Sequence, residues 1–159
     1  MTWTGYTING VFKDLSHLQT KTIEVEIDKT LISLHVSYGD HCFTDEKDNG
    51  TIIRGRYWSE ERYQRSLELP DYIKNTFIDS YAIPYLKRKK VGESYHYMEI
   101  YDYAIFFEIN KPDIENTLKI KVISAYEVDS WGKGTMPKGK RFRIRWILEQ
   151  RLKKHSILK

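Results

Sequence analysis

Hydrophobic and polar residues alternate regularly along two segments near the start of the chain. Residues 22–27 place apolar side chains at every second position, and residues 31–38 do so again after a turn signal at 28–30. A period of two residues is typical of a strand with one buried face. The two segments therefore predict an N-terminal β-hairpin, in which His35 falls on the polar face of the second arm.

The middle of the chain has helical signals. Ser59 precedes two glutamates, as an N-cap precedes the acidic first turn of a helix. We expect this helix to continue through Leu69, where Pro70 either interrupts it or begins a second helix that runs to about Phe77. The sequence thus predicts one or two helices between the strands.

The alternating pattern returns in the second half of the chain. Residues 95–101, 103–110 and 118–128 predict a three-stranded meander, in which Ser124 and Tyr126 share a face with the apolar residues Leu118, Ile120 and Val122. Residues 141–148 alternate most cleanly of all. As a final strand, they would bury four apolar side chains and align three arginines on the other face, Arg141, Arg143 and Arg145.

These elements predict an α+β fold: an antiparallel β-sheet, made of the N-terminal hairpin, the C-terminal meander and the final strand, packed against one or two helices. A chain of 159 residues fits a single domain, 1–159. One cysteine excludes an internal disulfide framework, and no segment has the apolar length of a membrane span or the pattern of a signal peptide. We expect a cytoplasmic protein without a membrane partner.

Charge is distributed unevenly along the chain. The formal net charge is +4, but residues 131–159 carry ten basic side chains and one acidic one. Such a basic segment favours a polyanionic partner, RNA before other nucleic acids, or an acidic protein; a solvated end that only aids solubility is the alternative. The candidate nucleic-acid-binding residues are Lys138, Lys140, Arg141 and Arg145, with a second basic run at Lys87, Arg88, Lys89 and Lys90.

Candidate chemistry is concentrated in residues 35–44, which hold two of the five histidines and the single cysteine. The chain has neither a phosphate-binding loop motif nor a nucleophile-elbow motif, and it has no Cys-x-x-Cys pair. His41 and Cys42 are adjacent on an extended segment and would point to opposite faces, so we predict no metal site and no cofactor. A lone Cys42 beside Phe43 is typical of a buried thiol.

Metal-free cleavage of RNA needs a base, an acid and cations around the phosphate, which histidine and arginine side chains can supply. This hypothesis assigns His41 and His35 as base and acid, Arg143 to the phosphate, and Tyr126 to substrate orientation, with Arg62, Ser124 and His96 as further neighbours. Each residue also has an ordinary interpretation. The two histidines can be surface hydrogen-bonding groups, and His96 and Tyr126 alternate in phase with core residues.

Several pieces of the chain resemble a family of small bacterial and prophage proteins labelled "stationary phase growth adaptation protein" or "heat shock protein C". The matching pieces are His35-Val36-Ser37, His41-Cys42-Phe43-Thr44, Arg62-Tyr63, Leu69-Pro70, Ile123-Ser124-Ala125-Tyr126 and Lys140-Arg141-Phe142-Arg143. They span residues 30–148 in order. This chain differs in its Gly39-Asp40 spacer and its arginine-rich end. The resemblance implies membership of this family, whose labels do not indicate a reaction mechanism.

The order of helices followed by a meander is also similar to that of the RelE-like and barnase–colicin–EndoU nucleases, which cut RNA without metal. This similarity of topology is an analogy. A ribonuclease-type toxin is therefore the leading hypothesis. The alternatives are a non-catalytic phage or mobile-element protein, which binds nucleic acid or blocks a host defence complex with its basic end, and a homodimer with paired strand faces.

Overall fold

The computed structural model describes residues 3–86, 95–129 and 132–158. Its strands are β1 (Gly5–Ile8), β2 (Val11–Asp14), β3 (Lys21–Ile27), β4 (Thr30–His41), β5 (Thr44–Asp45), β6 (Ile52–Ile53), β7 (Arg56–Trp58), β8 (Tyr81–Tyr85), β9 (Tyr95–Ile100), β10 (Tyr103–Asn110), β11 (Thr117–Glu127) and β12 (Phe142–Arg143). Its helices are α1 (Glu60–Ser66), α2 (Leu69–Asp71) and α3 (Ile144–Leu152), and a π-helical turn, Tyr72–Thr76, follows α2. The predicted α+β class is confirmed.

Seven strands form the main sheet in the order β12-β8-β9-β10-β11-β4-β3. The predicted hairpin β3–β4 and the meander β9–β10–β11 are both present. Neighbouring strands are antiparallel except β4 and β11, which run parallel. This pairing was not predicted. Because parallel strands share a direction, β4 and β11 end on the same side of the sheet, and their final residues lie close together.

One face of the sheet carries the main core. In β4 the even positions Ile32, Leu34, Val36 and Tyr38 are buried, while His35 is half-buried on the opposite face, as its position in the alternation predicts. The side chains of α1 and α3 cover the buried face, including Tyr63, Ile147 and Leu148. Ser59 caps α1 as predicted, since its hydroxyl accepts a hydrogen bond from the backbone N–H of Arg62 at 3.2 Å.

The predicted final strand is wrong. Strand pairing is limited to β12, and the chain from Ile144 onward is the helix α3. Ile144, Ile147 and Leu148 are buried, a spacing of three and four residues that places them on one helix face, whereas Trp146 is 39% exposed. The alternation of apolar residues coincided with a helical pattern, and burial of the helical stripe decided between them. The arginines consequently do not form a row on a strand.

An irregularity in β11 changes which residues face the core. Against β10, the partner of Phe107 is Val122, but the partner of Phe106 is Ser124, so one extra residue is accommodated at Ile123. Such a β-bulge reverses the alternation of faces beyond it. Val122 and Ala125 are therefore both buried, and Ser124 lies on the opposite face from Val122, not beside it as predicted.

Gly39 in β4 lies directly opposite this bulge. A Cβ atom at Gly39 would stand 3.1 Å from the carbonyl oxygen of Ile123, closer than ordinary van der Waals contact. The pairing of β4 with β11 also shifts here, because Val122 is opposite Tyr38 and Ser124 is opposite His41. Glycine thus permits the close approach of two backbones just before His41.

Three segments were not predicted as strands. The lead-in contains the hairpin β1–β2 with an Asn9-Gly10 turn, the polar loop at 45–56 folds into the small sheet β5-β7-β6, and β8 follows the helical region. Within the described part of the chain, no helix is long and apolar enough to span a membrane.

Candidate functional site

A polar cavity of about 520 Å³ opens where β4 and β11 end. Its walls come from the end of β4, the loop and small sheet that follow it, the start of α1, and the last residues of β11. The residues with the most suggestive chemistry are His41, Arg56, Glu61, Arg62, Ser124 and Tyr126. Large concave pockets with charged groups of this kind are the first places to look for a functional site.

Arg62 is fixed at the wall of the cavity. Its Nη1 donates hydrogen bonds to the carbonyl oxygens of His41 at 3.0 Å and Thr44 at 2.8 Å. Its guanidinium also lies over the ring of Tyr126, with 4.6 Å between the Cζ atom and the ring centroid. Burial lowers the pKa of Arg62 from its ordinary value. The side chain therefore holds the turn after β4 against α1 and β11.

Arg56 is held on the same wall through Thr44. Its Nε donates to the Thr44 hydroxyl at 3.0 Å and its Nη2 to the Thr44 carbonyl at 3.1 Å. The buried Thr44 hydroxyl donates in turn to the Asp40 carbonyl at 2.8 Å. Glu46 is 3.6 Å from Arg56 but lies on the solvent side, where a salt bridge stabilises little. Two guanidinium groups are thus positioned by backbone atoms around His41.

The His41 side chain is half-buried in the cavity wall. Burial lowers its pKa below the ordinary value of 6.5, and the nearby charges of Arg56 and Arg62 lower it further, whereas Asp40 opposes the shift. At neutral pH the imidazole is therefore predominantly uncharged and able to accept a proton. Ser124 is its direct neighbour across the β4–β11 pair.

Tyr126 also lines the cavity. Its ring stacks on Phe106 with 5.8 Å between the centroids, and burial raises the pKa of its hydroxyl group. The hydroxyl therefore remains protonated at neutral pH. Of the predicted catalytic residues, the structure brings His41 and Tyr126 together, with Arg62 and Ser124 beside them as expected.

His35 does not belong to this group. It lies six residues before His41 on the same strand, which corresponds to roughly 20 Å. Its Nδ1 is 2.7 Å from the hydroxyl of Thr22 on the neighbouring strand β3. The assignment of His35 as the acid partner of His41 does not fit this separation.

Arg143 is equally remote. It lies in β12, at the edge of the sheet, and five strand spacings separate β12 from β4. At about 4.8 Å per spacing this is roughly 24 Å. This is a path along the sheet, and Arg143 is not among the residues that line the His41 cavity. The cations of the cavity come from Arg56 and Arg62 instead.

The basic residues around β12 form a second region, which we call the basic edge: Lys138, Lys140, Arg141 and Arg143. All four side chains are exposed. The guanidinium groups of Arg141 and Arg143 lie 5.3 and 5.7 Å from the ring centroid of Tyr81, which is 41% exposed. Arg145 differs, since it donates to Asp79 and to the carbonyl of Glu26. The basic run Lys87–Lys90 lies outside the described residues.

Two other candidate residues, Cys42 and His96, are buried inside the protein. Cys42 is completely buried and burial raises its pKa to about 12, so the thiol stays protonated and is not a nucleophile. His96 is also completely buried. Its ring stacks on Phe107 with 5.1 Å between the centroids, and its Nε2 lies 3.2 Å from Nη2 of Arg151. Both predictions of buried residues are confirmed, and His96 does not line the His41 cavity, contrary to its interpretation as a neighbour of the catalytic group. Within the described ranges, no group of three or more histidine, cysteine or acidic residues is arranged to hold a metal ion.

Sequence reasoning missed Arg56 and Glu61. Arg56 was part of a segment predicted as a polar loop, and Glu61 had been interpreted only as an acid in the first turn of a helix. The signal available in the sequence for Arg56 was local: it follows Gly55, a turn residue, and precedes Tyr57 and Trp58, an aromatic pair that indicates a strand.

The fold and site define an α+β protein with a histidine- and arginine-lined cavity at one end of its main sheet. The chain belongs to the YjaZ family, whose family model matches residues 5–152. No match was found among curated proteins or solved structures.

Proposed function

We propose that the His41 cavity is the active site of a metal-independent ribonuclease. The observation that carries this proposal is the position of His41, whose side chain lines a polar cavity beside two backbone-anchored guanidinium groups. Burial and these charges lower the pKa of His41, which favours the uncharged imidazole that a base needs. A base next to fixed cations is what transfer of a phosphoryl group requires. The buried, unpaired Cys42 is consistent with a reducing, cytoplasmic setting.

In the proposed reaction His41 removes the proton from a ribose 2′-hydroxyl. The 2′-oxygen then attacks the adjacent phosphorus, and the bond from phosphorus to the 5′-oxygen breaks. Tyr126, whose hydroxyl group is protonated at neutral pH, donates its proton to the leaving 5′-oxygen. Proton exchange with water restores both side chains, and the products are a 2′,3′-cyclic phosphate and a 5′-hydroxyl.

Arg62 and Arg56 stabilise the negative charge that develops on the phosphate oxygens. Arg62 uses Nη1 for the carbonyls of His41 and Thr44, and within the described residues its Nε and Nη2 make no hydrogen bond. These nitrogens are available as a planar pair of donors for phosphate. Fixed donors of this kind act without reorganisation during the reaction.

The test is to incubate the purified protein with a short end-labelled RNA, to measure the rate of cleavage and to detect the cyclic phosphate on the product. We expect His41→Ala to lower the rate by about 10²–10⁴-fold, the usual contribution of a general base. His35→Ala is the matched control and leaves the rate unchanged, because His35 lies outside the cavity. A wild-type protein that leaves RNA intact, or a fully active His41→Ala variant, contradicts the proposal.

A second candidate function is nucleic-acid binding without catalysis through the basic edge. The observation that favours it is the exposed ring of Tyr81 beside the guanidinium groups of Arg141 and Arg143, since aromatic and arginine side chains together suit single-stranded nucleic acids. Binding of this kind is driven by counterion release and weakens steeply with salt.

This candidate predicts that Arg143→Ala weakens binding to all sequences alike and reduces the salt slope by about one. Arg145→Ala is the control, because Arg145 is engaged with Asp79. Binding that does not respond to salt, or responds equally to both variants, eliminates the basic edge as a binding surface.

A further inference from the structure

The turn that joins β9 to β10 has an unusual sequence. Its two central residues, Tyr101 and Asp102, have φ values of 49° and 63°. A two-residue hairpin with positive φ at both positions strongly favours Asn-Gly. The chain itself uses that pair at Asn9-Gly10, where φ is 50° and 80°. A bulky aromatic residue at positive φ is rare and strained.

Packing does not compensate for this strain. The Tyr101 side chain is 82% exposed, more than any other large hydrophobic residue in the described part of the chain. Its ring lies 6.5 Å from that of Tyr72, the first residue of the π-helical turn. Tyr72 itself is half-buried and packs against the core, and its hydroxyl group donates a hydrogen bond to Glu68 at 2.7 Å. Two irregular backbone segments thus place an exposed tyrosine beside a half-buried, anchored one. Irregular backbone of both kinds is frequently found at functional sites.

The turn is tied to the rim of the His41 cavity. Nη1 of Arg65 lies 3.8 Å from Oε1 of Glu127, a cavity residue, and Nη2 of Arg65 donates to the carbonyl of Tyr101 at 2.7 Å. The backbone N–H of Val128 donates to the carbonyl of Asp102 at 2.8 Å. Because Tyr103 pairs with Glu127, the turn lies within two strand spacings of β11, roughly 10 Å.

From these contacts we propose that Tyr101, with Tyr72, is an aromatic subsite that stacks on a planar ring of the ligand in the His41 cavity. This inference rests on the proposed function, from which the ring is a nucleobase next to the cleaved phosphodiester. Bases stack on exposed aromatic side chains only when they are unpaired. The substrate is therefore single-stranded RNA, and duplex RNA does not use the subsite.

The decisive variant replaces the turn by the pair that its geometry favours, Tyr101→Asn with Asp102→Gly. The strain is removed, so the melting temperature rises by about 2–4 °C. The stacking surface is also removed, so the affinity for a short single-stranded RNA falls by about 5- to 100-fold. A 2-aminopurine base in that RNA reports stacking by its fluorescence quenching, which the variant loses.

A matched control exists in the same sheet. The β3–β4 turn has the same backbone geometry at Asp28 and Lys29, with φ values of 49° and 65°. Asp28→Asn with Lys29→Gly also raises the melting temperature but leaves RNA affinity unchanged. Binding is measured in the His41→Ala background, so that the RNA stays intact, and a duplex of the same sequence is the second ligand.

Higher thermal stability combined with weaker single-strand binding, for the 101–102 replacement alone, supports the subsite. The subsite is overturned if the 101–102 and 28–29 replacements bind single-stranded RNA with equal affinity, or if the 101–102 replacement weakens binding to duplex RNA by the same factor. Cleavage by the wild-type protein would still support the ribonuclease in that case. Stacking at Tyr101 without any cleavage overturns the ribonuclease and retains the subsite. Absence of both RNA binding and cleavage overturns the two proposals together.

Discussion

The His41 cavity and the basic edge are both rich in arginine, but they hold it differently. In the cavity, Arg56 and Arg62 are half-buried and donate to backbone carbonyls at 2.8–3.1 Å. At the basic edge, Arg141 and Arg143 are exposed and contact the ring of Tyr81. A fixed guanidinium group can stabilise a charge that develops at one position. An exposed guanidinium group can change its conformation to reach phosphates at different positions.

The two regions also differ in what surrounds the cations. The cavity adds an uncharged histidine, a serine and a tyrosine, which are groups that transfer or orient protons. The basic edge adds two lysines and the exposed ring of Tyr81, which suit the attraction of phosphates and the stacking of bases. We therefore expect variants in the cavity to affect stability and chemistry, and variants at the basic edge to affect salt-dependent binding.

The largest predicted contrast is between Arg62→Ala and Arg143→Ala. Removal of Arg62 leaves the carbonyls of His41 and Thr44 without their donor, and we expect the free energy of unfolding to fall by about 2–4 kcal/mol. Cleavage should fall by about 10²–10³-fold. Arg143→Ala should change the unfolding free energy by less than about 0.5 kcal/mol. Denaturant titration of both variants checks this, and equal losses would abolish the distinction.

A smaller effect is expected when Gly39 is replaced by alanine. The added Cβ would approach the Ile123 carbonyl, so the bulge must shift and Ser124 must move relative to His41. We expect a loss of about 1–3 kcal/mol in unfolding free energy. Gly134→Ala is the control, because a Cβ at Gly134 meets no atom within 4 Å. Similar stabilities of the two variants would show that the close approach is unimportant.

The smallest predicted effect concerns pH. His41 must be uncharged to act as a base, so cleavage should decline as the pH falls through its pKa, which lies below 6.5. Arg56→Gln removes a neighbouring positive charge and should raise the pKa of His41, moving this decline to higher pH. Titration of the His41 ring protons by NMR measures the same shift without RNA. A cleavage rate of the wild-type protein that declines around a pH above 6.5 would contradict a lowered pKa of His41 as the cause.

Part of the site could be derived from local pattern. The alternation in β4 predicted that His35 points away from the core, and the N-cap signal at Ser59 predicted that Arg62 lies in the first turn of α1. Ser124 was assigned to the wrong face, because the bulge at Ile123 inserts one residue without a signal in the hydrophobic pattern. The position of a bulge depends on how a strand pairs with its neighbours. The hydrophobic pattern of one strand contains no information about that pairing.

The arginine-rich end shows a different limit. Residues 142–148 satisfy both an alternating pattern and a helical one, and the strand interpretation placed three arginines in one row. The structure separates them: Arg141 and Arg143 stay at the basic edge, while Arg145 lies on α3 against Asp79. Local pattern could not choose, since either element buries a comparable set of apolar residues.

The sequence by itself determined the α+β class, the hairpin and meander, and the uneven charge, because these depend on periodicity and composition within short segments. Only the tertiary structure decided that His41 meets Arg56, Arg62 and Tyr126, and that His35 and Arg143 lie elsewhere. The parallel pairing of β4 with β11 joins positions more than eighty residues apart. Such long-range pairing depends on how complete elements pack together, which local alternation does not specify.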